Sequence, residues 1–238
     1  MKIEPAKFEK MLRMLMLPKN KPLIPVVQLL FGENGVECRQ MDSGMVIAVI
    51  ANFQKKYFRE YEASGEVKIT DTIFNIIRKK FEGDEVIEVE FGDKVTLKGK
   101  IDKYTEPATT VEVNAIEEDK IKRVGGVAIP SKAKPVKTYV IDVAYLKDIE
   151  AEKIIFEYGD KLIVKVKDTG EFERTIPFSR SEGDGSGSAI VAGEYLTPII
   201  KNLSGEVFLI FTNGPANITQ INEAEGYSVS YNISTMVE

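Results

Sequence analysis

Two stretches of this chain echo each other about half its length apart: IIRKKFEGDEVIEVEFGD at 76–93 and IIKNLSGEVFLIFTNG at 199–214. Each carries two isoleucines, a basic residue, a glycine turn, Glu-Val, and a strand-like run that ends in a turn. A unit that occurs twice must bury its apolar face twice, so 238 residues are expected to fold as a duplicated α+β unit. Two helices are expected per copy. Strand-like runs outnumber helical ones in both halves, so sheets should carry the core and helices should cover one face.

The helices are legible from their period. Phe8, Met11, Leu12 and Leu15 fall at i, i+3, i+4 and i+7, with Lys7, Lys10 and Arg13 on the opposite side and Lys19 and Lys21 in the following turn. A second helix capped by Asp71 or Thr72 buries Ile73, Phe74, Ile76, Ile77 and Phe81; Arg78 and Lys79 point away and Lys80 lies at the margin. Strands are expected at 26–31, 36–42, 45–50, 66–70, 86–91, 94–100 and 109–116. The second half repeats the pattern, with a short helix at 143–149, strands at 153–158, 161–166 and 172–178, and a helix at 194–203. Between these last elements RSEGDGSGS lacks the GK[ST] ending of a phosphate loop and is expected to close a hairpin.

Composition removes several classes of chemistry. There is no histidine, so Ser-His and Cys-His nucleophile pairs and the commonest metal ligand are excluded. Cys38 is the one cysteine, which excludes an internal disulfide and suits a reducing compartment. A chain that is 43% hydrophobic and 29% charged reads as globular, with no run long enough to span a membrane and no secretory leader. Neither an enzyme nor a cofactor is expected. The net charge of −5 leaves room for a local basic stripe.

The middle of the chain is unusual: VGGVAIPSKAKP, Val124–Pro135, places an apolar cluster stiffened by proline between glycines and lysines. Two readings stay open from the residues alone. It is an exposed apolar binding wall, or a linker that tucks onto the fold.

Several segments, in order, resemble the DNA sliding clamps of the PCNA family over nearly the whole chain. They are GVECRQMDSGMVIAVI and FREYE in the first half, then DTGE, EYLTPIIKNL and GPANI, and the tail EAEGYSVSYNISTMVE. The resemblance implies an N-terminal clamp domain at 1–117, an interdomain connector at 118–135 and a C-terminal clamp domain at 136–238. It implies a homotrimeric ring that encircles duplex DNA without reading its sequence. Such a ring tethers DNA polymerase and other clients through a short peptide, and it is opened by a clamp loader. By the same resemblance Lys7, Lys10, Arg13, Arg78, Lys79, Lys80, Lys147 and Lys201 face DNA, with Lys10, Lys80 and Lys201 matching best. Met41, Val46, Val127, Ala128, Ile129, Pro130, Pro215, Tyr231 and Ile233 wall the client-peptide pocket. Thr109, Val111 and Val113 on one edge strand, and Arg174, Ile176 and Phe178 on another, make the subunit interface, with Pro177 shortening the ladder. The location would be cytoplasmic and nucleoid-associated in an archaeal or viral setting, nuclear in a eukaryotic one.

The chain departs from the family in two places. Ser234-Thr235 stands where the family has Ala-Pro, and Gly125-Gly126 with Lys132 and Lys134 makes the connector more flexible and more basic. Alternatives are one subunit of a heterotrimer, a weakly associating virus- or plasmid-borne copy, and a peptide-binding α+β protein with no nucleic-acid role. A carboxylate hydrolase is less supported, since Glu117-Glu118-Asp119 reads as a solvated loop.

Overall fold

A computed structural model describes residues 1–18, 22–62, 64–166 and 171–236. Lys19, Lys21 and most of the DTGE motif lie outside them. The chain forms two compact units. The first comprises Met1–Ser43, Val49–Ile116 and Asn222–Ser228; the second comprises Gly44–Ala48, Glu117–Ile221 and Val229–Glu238.

In the first unit helix α1, Pro5–Met16, starts on a proline, whose missing N–H costs nothing in the first turn. It ends at Leu17 in the left-handed region, φ 51°, where the Leu17 N–H bonds back to Arg13. Its expected face is fully inside: Phe8, Met11, Leu12 and Leu15 are at 0% exposure. Helix α2, Asp71–Lys80, packs beside it and buries Ile73, Phe74 and Ile77. Its cap is Thr70 rather than Asp71 or Thr72, and the Thr70 hydroxyl donates to Glu106 and accepts no bond from the helix N–H groups. Asp71 lies in the first turn, where its charge meets the helix dipole favourably.

One sheet of this unit runs Gly65–Thr70, Val26–Gly32, Gly35–Met41, Ile47–Gln54, with the short Asn114–Ala115 also paired on Gly35–Met41. The other runs Lys2–Ile3, Ile87–Glu90, Lys94–Lys98, Lys103–Pro107. The expected strand at 109–116 is therefore largely absent, and the free edge belongs to Lys103–Pro107. Pro107 marks the end of that ladder, opposite Lys94, and the chain then leaves the sheet. It next pairs in the other sheet, where Asn114–Ala115 lies on Gly35–Met41 and the Ile116 N–H donates to Arg39 O.

In the second unit strands follow in the order Arg180–Glu182, Pro135–Asp142, Glu206–Thr212, Ala216–Asn222, Tyr227–Ile233. A four-stranded sheet runs Phe172–Ile176, Leu162–Val166, Lys153–Tyr158, Gly187–Ala192, with Phe172–Ile176 on its free edge. Helix α3, Gly193–Asn202, carries Pro198 inside it, at its sixth residue, where the missing N–H forgoes the bond to Glu194 O. The short helix expected at 143–149 is a 3-10 turn over Val143–Leu146, capped by Asp142.

The RSEGDGSGS loop does not close a hairpin. Arg180–Glu182 pairs with Pro135–Asp142, whereas Gly187–Ala192 pairs with Lys153–Tyr158, so the loop passes between two sheets. Its glycines are there for contact. A Cβ on Gly183 would lie 2.5 Å from Val136 O, and one on Gly185 would lie 2.0 Å from the Val136 side chain.

Candidate functional site

The connector is a hairpin. Ile121–Val124 pairs with Val127–Pro130 around a two-residue turn, Gly125-Gly126, at φ 58° and 84°. Both positive values match the tight turns that follow the twist of a hairpin, so the glycine pair here makes a fixed turn rather than a flexible joint. The apolar ribbon is not exposed either. Val127, Ala128 and Ile129 are 4%, 5% and 1% accessible. Val127 and Ile129 pack on Ile210 with Phe208 alongside.

Ala128 is the fastening point. Its N–H donates to Ser230 Oγ at 3.0 Å, and its carbonyl accepts from Asn217 Nδ2 at 3.1 Å and Asn232 Nδ2 at 3.2 Å. Asn217 also donates to Asn232 Oδ1, and Thr219 Oγ1 bonds both Asn217 and Ser230. Every one of these side chains is buried, and each has a partner.

The other expected pocket walls divide. Ser234 N–H donates to Val46 O, Thr235 Oγ1 to Gly214 O beside Pro215, and Lys134 N–H to Asn213 Oδ1, so Val46, the Pro215 turn, the tail and the connector are stitched together. Yet Tyr231 and Ile233 are at 0% exposure and, with Ile129, point into the core, so their side chains form no accessible wall. Along the tail the alternation Tyr227, Val229, Tyr231, Ile233 is the inward face, which leaves Ser230 and Asn232 for the connector. Val46, Pro130 and Pro215 are half-buried, and two apolar residues the sequence reading did not name, Met45 and Met236, are exposed. Met41 sits in the first unit, half-buried, opposite Asn114.

Most of the basic residues are already engaged. Lys10 Nζ reaches Glu225 at 2.8 Å and lies 4.8 Å from the centre of the Tyr227 ring. Burial works against that ammonium, but Glu225 and Tyr227 hold its pKa above the ordinary lysine value. Arg13 bonds Glu9 at 2.8 Å, Arg78 lies 3.5 Å from the same carboxylate, Lys7 lies 3.9 Å from Glu4, and Lys201 is paired with Glu150. Lys79, Lys80 and Lys147 are exposed and have no ion-pair partner among the described residues.

On the free edge Phe172–Ile176, Arg174 forms a bidentate pair with Asp148 at 2.6 and 2.8 Å, and the arginine lowers the Asp148 pKa. Ile176 is fully buried and offers no side chain to a neighbour. Phe178 lies beyond the strand and packs on Tyr139, ring centres 5.0 Å apart. Thr109, Val111 and Val113 lie on irregular backbone outside any strand. No group of three or more His, Cys, Asp or Glu side chains among the described residues could hold a metal. Cys38 is buried, its thiol pushed up to about 12 by desolvation.

No protein-family model and no curated protein matches the sequence. Solved structures do match. The A. fulgidus PCNA bound to the C-terminal region of FEN-1 aligns with TM-score 0.80 at 17% identity, covering 100% of this chain and 98% of that one. A PCNA2–PCNA3 complex from Sulfolobus tokodaii gives 0.77 at 18% identity, covering 100% and 99%. The proliferating cellular nuclear antigen of Entamoeba histolytica gives 0.79 at 15%, covering 99% and 98%. From end to end, this chain has the fold of the PCNA sliding clamps.

Proposed function

We propose that this protein is a DNA sliding clamp, a ring of three copies that encircles duplex DNA and tethers DNA polymerase and other peptide-bearing clients. The observation that carries this reading is the whole-chain match to PCNA, including a PCNA solved with the C-terminal region of FEN-1 and another solved as a PCNA–PCNA complex. The clamp domains are 1–117 and 136–238, joined by the connector at 118–135. Among the described residues each unit ends a sheet on a strand paired along one side only, Lys103–Pro107 in one and Phe172–Ile176 in the other. Such edges are either protected or used, and a head-to-tail contact between unlike edges closes when the rotation allows it.

A clamp of this kind catalyses nothing; its hold on DNA is topological. Lys79, Lys80 and Lys147 supply cations with no ion pair among the described residues, while Lys7, Lys10, Arg13, Arg78 and Lys201 are shared with carboxylates of the same chain. A phosphate backbone therefore meets partly neutralised cations, and the resulting attraction is diffuse, salt-sensitive and indifferent to sequence. Weak contact suits sliding. Client peptides would seat on Val46, Pro130 and Pro215, with Met45 and Met236 adding apolar surface.

The test is salt-dependent stimulation of a DNA polymerase on a primed circular template, with a loader supplied. The clamp reading expects longer products with the protein than without it. Unchanged product length over a range of salt would leave the peptide-binding alternative standing.

A further inference from the structure

Three basic residues of helices α1 and α2 converge on two carboxylates of the same unit. Glu9 takes Arg13, one turn further along α1, at 2.8 Å, and Arg78 of α2 lies 3.5 Å from the same oxygen. Two guanidinium groups from two packed helices therefore share one anion. Glu225 belongs to the turn that joins Ala216–Asn222 to Tyr227–Ile233, and it takes the Lys10 ammonium on both oxygens, at 3.0 and 2.8 Å.

Each pair is held by more than its own attraction. Asn222 Nδ2 donates to Glu225 at 3.2 Å, and the Glu225 N–H donates to Asn222 Oδ1 at 2.9 Å, so the turn aims the carboxylate. Lys10 lies over the Tyr227 ring, and the Arg13 guanidinium lies 5.3 Å from the centre of the Phe74 ring. Glu9 precedes Arg13 by four residues, the favourable order on a helix. Exposed ion pairs are worth little when two long side chains must be ordered to form them. Here the rings and the turn have already ordered them.

We propose that Glu9 and Glu225 stand in for DNA phosphates and thereby limit how tightly the protein holds a duplex. The inference rests on the clamp reading, which supplies the competing anion, a phosphodiester. A phosphate that draws Lys10 off Glu225 leaves a bare carboxylate, and that carboxylate recruits a cation from solution. The counterion released from DNA is then offset by one taken up, so a paired cation adds little to the salt-dependent attraction. A protein held by linkage alone gains from such a brake, because tight phosphate contacts impede sliding.

The probe is a short fluorescein-labelled duplex of mixed sequence, titrated with the full chain by anisotropy over a salt series; neither a loader nor a primed circle is needed. Glu225→Gln frees one cation and should steepen the slope of log affinity against log salt by about one, tightening binding about tenfold at about 50 mM salt. Glu9→Gln frees two and should steepen the slope by up to about two. Glutamine keeps the size and a hydrogen-bonding oxygen of each side chain. Glu33→Gln, at the exposed Gly32–Gly35 turn, changes the net charge equally but frees no cation, and should move affinity by less than about twofold. Adding Lys10→Gln to Glu225→Gln should erase the gain. Unchanged slopes in Glu9→Gln and Glu225→Gln, an equal gain from Glu33→Gln, or a gain that survives Lys10→Gln would overturn the proposal. Polymerase stimulation by the unaltered protein decides the clamp reading separately. Stimulation with unchanged slopes sinks this inference alone, and steeper slopes without stimulation sink the clamp reading alone.

Discussion

Ile129 and Lys10 both look like surface residues in the sequence, and the fold assigns each a different task. Ile129 is 1% exposed against Val127 and Ile210, so Ile129→Ala removes packing. The expected cost is about 2–4 kcal/mol, read as a lower midpoint in denaturant, because a buried isoleucine leaves a cavity when truncated. An unchanged midpoint would mean that the hairpin is not held by this cluster. Lys10→Glu would set two carboxylates against each other at Glu225 and should cost about 1 kcal/mol. Lys80→Glu, on an exposed residue with no ion pair among the described residues, should leave the melt within about 0.5 kcal/mol while weakening DNA stimulation. Helical period revealed which side of α1 Lys10 occupies, but Glu225 lies far along the chain, and no local pattern points to it. Tyr231 and Ile233 differ in kind: the period-2 alternation of the tail already put them on the inward face, and matching to the family's landmarks obscured that signal.

At the scale of elements, hairpins and edges separate what was legible from what was not. Helices α1, α2 and α3 were readable because each carries a strong apolar stripe. The strand at 109–116 was misplaced because Thr-Val-Glu-Val alternates well, yet alternation says nothing about whether a partner strand is available; Lys103–Pro107 holds the edge instead. The connector hairpin was hidden by its glycines, which read as flexibility until their positive φ values showed a turn. Those values make opposite forecasts for two neighbours. Gly125 has open space around it and should accept Asn with little change in stability, since Asn tolerates left-handed backbone. Gly126 has φ 84° and faces Ile221, 2.9 Å from where a Cβ would sit, so Gly126→Val should destabilise by about 1–3 kcal/mol. Chemical denaturation of the two variants side by side measures the contrast, and equal midpoints would contradict the turn.

At the scale of the molecule, the repeat that opened the sequence corresponds to two units, each built of antiparallel sheets with few helices. Light scattering in the range of tens of micromolar should give three times the 26.6 kDa of the chain. A mass of one chain would remove the homotrimer and move the account toward a mixed ring. The topological hold on DNA is the central claim, and a linear duplex tests it most directly. The protein is mixed with duplex whose ends are free, the ends are then blocked with bulky protein caps, and retention is followed in high salt by gel filtration. A closed ring stays on the capped duplex and slides off the uncapped one, because salt removes the electrostatic attraction but not the linkage. Equal loss from capped and uncapped DNA would contradict encirclement.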